Sequence, residues 1–110
     1  MDKESLLFEK YRSVGVIRGG ELYLGHADAL RFIEDCRNLG LVILGMEFFA
    51  TEGKWIIPGR IENYSSVSNE PNAVEYTTAR ARSLLKGGMP DDETLVTFTI
   101  CEPTAEEDDV

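Results

Sequence analysis

The chain has 110 residues, a length that suits one domain and is sufficient to bury a core without a disulfide or a structural metal. Twenty acidic residues against eleven basic ones give a formal net charge of −9, which argues against nucleic acid as a direct partner because phosphate backbones would repel the protein. No apolar run reaches the ~18 residues of a membrane span, so we expect a compact cytoplasmic protein that does not bind a membrane.

The negative charge is concentrated at the C-terminus. Residues 102–110 contain five acidic residues and no basic one, which leaves eleven basic and fifteen acidic residues, a net charge of −4, for residues 1–101. We interpret residues 1–101 as a single domain and residues 102–110 as a solvated, disordered acidic tail. The overall excess of negative charge favours a basic protein as partner.

The first elements along the chain are short. Residues 4–12 predict a helix, and residues 14–17 predict either a short strand or an irregular connection, which Gly19-Gly20 breaks. From about residue 26 to residue 39 the apolar side chains follow a 3.6-residue period, and Gly40 supplies a stop, so a second helix is expected there.

A β-hairpin is the most informative prediction. Residues 41–50 and 54–57 are rich in aromatic and β-branched residues, and the turn between them offers Gly53 for a positive φ. We expect Pro58-Gly59 to close this hairpin and a further short strand to follow at residues 61–64. Glu47 lies inside the apolar run, where a charged side chain needs a partner or a function.

The second half of the chain predicts one helix and one strand. The helix is expected over residues 71–86, with Ser68 or Asn69 as its N-cap, and residues 95–101 alternate apolar and polar side chains as a strand does. The order helix, hairpin, helix, strand predicts an α+β fold: a mostly antiparallel sheet with two to three helices packed on one face.

No motif for catalysis, cofactor binding or metal binding accompanies these elements. His26 is the only histidine and has no second ligand at metal-binding spacing, while Cys36 and Cys101 form no CxxC pair and are interpreted as small core residues. Ser65 and Ser66 lack a nucleophile elbow, and the N-terminal glycines lack the order of a phosphate-binding loop. We therefore expect no catalytic residue, no cofactor and no metal.

Acidic and aromatic residues displayed together are typical of an interface for a basic protein, in which the aromatic ring anchors and the carboxylates steer. The candidate partner-binding residues are Glu47, Glu52, Trp55, Glu62 and Tyr64 around the hairpin, with Asp91, Asp92 and Glu93 as second choices. The alternative interpretation is that Trp55 and Tyr64 are core or edge-strand residues and that the acids form a solvated face.

Over residues 30–85 the chain resembles a family of small predicted bacterial immunity proteins from polymorphic toxin systems. The resemblance rests on residues 43–49, on the Glu52-Gly53-Lys54 turn with Pro58, on Asn63-Tyr64 and on Glu75-Tyr76. Within residues 43–49 the chain has Met, Glu and Phe where the family has Gly, Asp and Tyr. The resemblance implies a non-catalytic cytoplasmic inhibitor that binds and occludes a cognate toxin, often a nuclease.

Two other classes of function stay open at this point. A self-associating or regulatory interaction module would pair through the hairpin edge or through residues 95–101 and would form a homodimer. A small enzyme would need Glu47 to converge with a second acid or with His26 in one pocket. We rank the toxin inhibitor first, the interaction module second and the enzyme third.

Overall fold

Three helices and two antiparallel sheets form the part of the chain that the computed structural model describes, residues 2–103, so the predicted α+β fold is confirmed. The acidic tail predicted at residues 102–110 lies outside the described residues except for Glu102 and Pro103. In chain order the elements are α1 (Lys3–Tyr11), β1 (Val16–Arg18), β2 (Glu21–Tyr23), α2 (His26–Leu39), β3 (Val42–Glu52), β4 (Trp55–Asn63), α3 (Ala73–Leu85) and β5 (Leu95–Cys101).

The larger sheet has the strand order β4-β3-β5, and both of its pairings are antiparallel. Because side chains alternate along a strand, Met46 and Phe48 of β3 lie on one face and Glu47 and Phe49 on the other. Met46 and Phe48 share the hydrophobic core with apolar residues of all three helices, so the helices pack on that face as predicted. The opposite face, here called the open face, carries no helix among residues 2–103.

A second, smaller hairpin precedes α2. Gly19 and Gly20 form its turn with φ values of 57° and 82°, which glycine adopts without steric cost. As expected, Gly19-Gly20 ends the short strand β1, and the pair also reverses the chain into β2, which was not predicted because three residues are too few to show alternation. Just after β2, the backbones of Leu24 and Val96 exchange two hydrogen bonds of 2.9 Å, which attach this hairpin to the β5 edge of the larger sheet.

The β3–β4 hairpin is longer than predicted. Its turn is confirmed, since Glu52 pairs with Trp55 and Gly53 has a φ of 61°. Pro58-Gly59 does not end the second strand, because β4 continues to Asn63 as one strand. The interruption at these residues is instead a β-bulge, in which two residues of β4 face one residue of β3; β4 is an edge strand, where proline is tolerated.

Helix α3 begins later than predicted and is tied to β3. Its N-cap is Asn72 rather than Ser68 or Asn69, because residues 65–67 form a separate 3₁₀ turn. The buried hydroxyl of Thr77 accepts a hydrogen bond of 3.0 Å from the backbone N–H of Ile43. This bond fixes α3 against the end of β3 where the sheet pairing shifts by one residue.

Helix α1 docks on α2 through a carboxylate. Asp35 accepts hydrogen bonds from Lys10 Nζ at 2.8 Å and from Tyr11 Oη at 2.7 Å. Burial opposes ionisation of Asp35, but these two donors outweigh it and hold the pKa of the carboxyl below its ordinary value. Such a contact allows a nine-residue helix to persist, since a helix this short is marginal unless it docks.

Candidate functional site

The turn of the β3–β4 hairpin exposes an aromatic ring beside a carboxylate. Trp55 is 67% exposed and pairs across the hairpin with Glu52, which is also exposed. Lys54 Nζ lies 5.9 Å from the centroid of the indole ring, and Arg18 Nη1 donates to the Lys54 carbonyl at 3.4 Å. Trp55 therefore lies on an edge strand at the surface, outside the core.

Glu47 lies on the open face. The sheet register sets it between Ile61 of β4, which is 66% exposed, and Thr97 of β5, which is buried. Among residues 2–103 the half-buried carboxylate of Glu47 has no hydrogen-bond or ion-pair partner. In the next row Phe49 meets the ring of Tyr23 edge-on, with a centroid distance of 5.0 Å. The open face thus combines exposed apolar surface with one unpaired carboxylate.

Three of the candidate carboxylates meet at Arg60, in the β4 bulge. The guanidinium contacts Glu62 Oε2 at 2.7 Å and Asp91 Oδ2 at 3.7 Å, and the backbone N–H of Arg60 donates to Glu93 Oε2 at 2.7 Å. The hydrogen bond to Glu62 raises the pKa of Arg60. One cation among three carboxylates leaves this Arg60 cluster acidic, and the exposed Asp92 adds a further carboxylate beside it.

Glu93 is the least usual member of the Arg60 cluster. It is only 7% exposed, and its second oxygen, Oε1, is buried with no hydrogen-bond partner among the described residues. The carboxylate fits because Gly59 has no side chain: a Cβ there would overlap Glu93 Oε2. Asp91 and Asp92 precede it with φ values of 54° and 62°, a left-handed conformation that side-chain-bearing residues seldom adopt. The segment is therefore strained and incompletely satisfied.

Tyr64 lies in the core. It is 8% exposed, its N–H donates to the Leu44 carbonyl at 2.7 Å, and burial raises its pKa. Its side chain therefore offers little contact surface to a partner. The candidate residues thus fall into four places: Glu52 and Trp55 at the hairpin turn, Glu47 on the open face, Tyr64 in the core, and Glu62 with Asp91, Asp92 and Glu93 around Arg60.

The other chemically distinctive side chains have structural contacts. His26 Nε2 lies 2.5 Å from the Leu85 carbonyl, which can only accept, so the ring donates and caps the last turn of α3. Ser65 Oγ donates to Asn63 Oδ1 at 2.7 Å within a turn. Burial raises the pKa of the Cys36 thiol to about 12. Within the described part of the chain, no three His, Cys, Asp or Glu side chains form a group suited to a metal ion.

Sequence reasoning missed Arg60 and its bulge. The available signal was Pro58-Gly59 between two apolar runs, which we interpreted as the end of a hairpin although a proline and a glycine also mark a bulge in an edge strand. Nothing in the sequence indicated that residues 91–93, over thirty positions away, would meet that bulge. The contact depends on the path of the chain between α3 and β5.

Comparison with protein-family models, with curated proteins and with solved structures gives no match to this chain, so the resemblance to immunity proteins stays a prediction. Over residues 2–103, no helix combines the length and the apolar character needed to cross a bilayer.

Proposed function

We propose that this chain is an immunity protein that binds and occludes a cognate, basic, nuclease-like toxin domain. The observation that carries the proposal is the exposed edge of the β3–β4 hairpin, which presents Trp55, Glu52 and Glu62 on the Met46 side of the sheet and Ile61 with Glu47 on the open face, on a chain of net charge −9. An exposed aromatic side chain with an acidic neighbour, Glu52, on a strongly acidic chain is a composition expected of a surface for a basic partner, and the cation beside it, Lys54, would be displaced or screened in the complex.

Charge guides the encounter in this proposal. A nuclease cleft that binds phosphates is basic, and an acidic protein approaches it faster than a neutral one because the electrostatic field steers diffusion. The Arg60 cluster contributes to this field, since its carboxylates outnumber its one cation. The association rate should fall as salt screens the exposed charges, over a Debye length of about 8 Å at physiological ionic strength.

Trp55 anchors the complex once it has formed. A tryptophan that is 67% exposed in the free protein can bury most of its ring against a partner. Truncation of such an anchor commonly costs about 2 kcal/mol or more of binding free energy, roughly 30-fold in Kd. Occlusion requires no catalysis by this chain, and the proposal places it in a reducing cytoplasm, where Cys36 and Cys101 stay as free thiols.

The test is capture of a partner from lysate of the native host by the full chain, followed by measurement of stoichiometry and salt dependence. A single basic protein held one-to-one and released as salt rises supports the proposal. Recovery of the chain alone, or of a partner whose affinity does not change with salt, contradicts it.

A triple variant then tests the surface. Glu52→Gln, Trp55→Ala and Glu62→Gln together should weaken the complex at least 30-fold, about 2 kcal/mol, and reduce its salt dependence. The matched control is Leu6→Ala, Glu9→Gln and Glu70→Gln, which removes one exposed apolar side chain and two negative charges elsewhere. Equal effects of the two triple variants would show that only net charge matters and that the hairpin is not the interface.

The alternative function, a self-associating or regulatory module without catalytic activity, has one observation in its favour. β4 is an edge strand with the apolar side chains of Trp55, Ile57 and Ile61 exposed, and such an edge can pair with a second copy. Pro58 and the adjacent bulge oppose strand pairing there. Light scattering at micromolar concentration separates the two: a dimer that persists at high salt favours the module, and a monomer favours the inhibitor.

A further inference from the structure

A cleft lies between α1, β2, α2 and β5, on the helix-covered side of the sheet and apart from the hairpin surface proposed above. Its volume is about 340 Å³. Phe32 and Phe98 contribute to its walls and stack on each other with ring centroids 4.6 Å apart and an interplanar angle of 21°. The remaining apolar wall includes Leu22, Leu24 and Ile100. The cleft is thus an aromatic and aliphatic cavity that opens to the surface.

Within the described part of the chain, the polar residues that line this cleft include two acids and no base. Glu4 comes from the first turn of α1 and Glu21 from β2. Arg18 stands directly opposite Glu21 in the β1–β2 register, yet its guanidinium contacts the Lys54 carbonyl instead. Among residues 2–103, neither the Glu4 carboxylate nor the Glu21 carboxylate has a hydrogen-bond or ion-pair partner. Two carboxylates without a direct hydrogen-bond or ion-pair partner among the described residues therefore border an apolar cavity.

We propose that this cleft receives an arginine side chain of the toxin, a site that rests on the proposed function and defines its partner more closely. Arginine combines an aliphatic stem, which gains from burial against apolar walls, with a planar cation that interacts with aromatic rings. Its guanidinium donates to carboxylates with a geometry and strength that lysine does not match. A cavity of about 340 Å³ is at the small end of ligand sites and suits one long side chain.

Other occupants fit the chemistry less well. Residues 102–110 of this chain carry five acids and no base, so the two carboxylates of the cleft would repel them. A nucleotide or another phosphate would be repelled for the same reason. A second copy of the chain has the same net charge of −9 and would have to approach against that repulsion.

The test uses the full chain and a defined probe, the peptide acetyl-Gly-Arg-Gly-amide, followed by NMR of the methyl groups of Leu22, Leu24 and Ile100. The comparison peptide carries citrulline, which keeps the shape of arginine without its charge. We expect the arginine peptide to shift these methyl signals in a saturable manner and the citrulline peptide to bind about tenfold more weakly or worse. Glu4→Gln with Glu21→Gln should cause a similar loss for the arginine peptide, whereas Glu9→Gln with Glu70→Gln, the same change of charge outside the cleft, should not.

Several results would overturn the inference. These are equal binding of the two peptides, signal changes spread over the whole acidic surface, or equal effects of the cleft and control variants. Methyl shifts that change with protein concentration alone would assign the cleft to a second copy, and nuclear Overhauser contacts from residues 104–110 to Leu22 would assign it to the tail of the chain.

The two proposals fail separately. In the captured complex, the cleft variant tests the arginine site and the hairpin triple variant tests the occlusion surface. A complex weakened by the hairpin variant and unchanged by the cleft variant refutes the arginine site and leaves the proposed function intact. If no basic partner is captured, the proposed function fails, and the peptide titration still decides whether the cleft selects a guanidinium.

Discussion

Two β-bulges interrupt the larger sheet. At each of them a backbone N–H donates a hydrogen bond to a side chain from another part of the chain. At the first, where β3 pairs with β5, the acceptor of the Ile43 N–H is the neutral hydroxyl of Thr77, fully buried on α3. At the second, in β4, the acceptor of the Arg60 N–H is the carboxylate of Glu93, which leaves one buried oxygen unpaired among the described residues.

The two bulges differ in their roles. The first is explained by packing in the core, and the second is a candidate functional feature. A hydroxyl that meets one amide inside a core satisfies both groups at little cost. A buried carboxylate with one orphan oxygen, next to two left-handed Asp residues, is a costlier way to satisfy one amide. The first bulge belongs to the fold, and the second lies within the acidic surface proposed to meet the toxin.

Of the changes at the two bulges, the largest effect is expected at Gly59. Gly59→Ala introduces a Cβ that overlaps Glu93 Oε2, so the carboxylate must leave the Arg60 N–H. We expect the free energy of unfolding to fall by about 2.5 kcal/mol, mainly from the lost hydrogen bond between the Arg60 N–H and a charged acceptor, because the displaced carboxylate is the end of a flexible side chain. Urea denaturation measures it.

Glu93→Ala supplies the control for that prediction. Once the carboxylate is gone, the Cβ introduced by Gly59→Ala no longer meets it, so the double variant should lose less stability than the sum of the two single variants. Additive losses would mean that the contact between Gly59 and Glu93 is incidental and that the new methyl group disturbs the bulge in another way.

At the other bulge, Thr77→Val should lower the free energy of unfolding by about 2 kcal/mol, because the buried Ile43 N–H loses its acceptor while the volume is conserved. Thr78→Val is the matched control: it is equally buried, but its hydroxyl donates at 2.7 Å to the Val74 carbonyl of its own helix. In thermal unfolding, the melting temperature of Thr77→Val should be clearly lower than that of Thr78→Val. Equal losses would remove the special role of the Thr77 bond.

The elements visible in the sequence are those whose signal is local. The apolar side chains of residues 26–39 follow the helical period along the whole element, and those of residues 95–101 alternate as in a strand. Gly40 and Gly53 adopt the left-handed φ values of 75° and 61° that a helix end and a tight turn require. Both bulges escaped prediction, because a bulge is defined by the partner strand. The cleft escaped for the same reason, since Glu4, Glu21 and Phe98 converge only after the sheet and helices have assembled.

Asp35 is the comparison case: its carboxylate has hydrogen-bond donors on another helix. Its pKa is lowered in the folded state, so its contribution to stability is present above the unfolded value of about 3.9 and is lost as the pH falls through the folded pKa. Asp35→Asn should cost about 1 kcal/mol at pH 7, given its partial exposure, and clearly less at pH 2. Glu9→Gln, which breaks an exposed pair with Arg12, should change little at either pH. Urea denaturation at both values checks this, and an equal loss at both would contradict it.

The smallest effect on folding is expected at the hairpin turn, where Trp55→Ala should change the free energy of unfolding by no more than about 0.5 kcal/mol because the ring is 67% exposed. Tyr64→Ala is the contrasting variant: its ring lies in the core, and truncation should cost about 3 kcal/mol or more. A small loss would mean that Trp55 contributes little to the stability of the fold, as expected of a side chain that binds a partner. A large loss of stability in Trp55→Ala would instead give the indole a structural role and remove the anchor from the proposed interface.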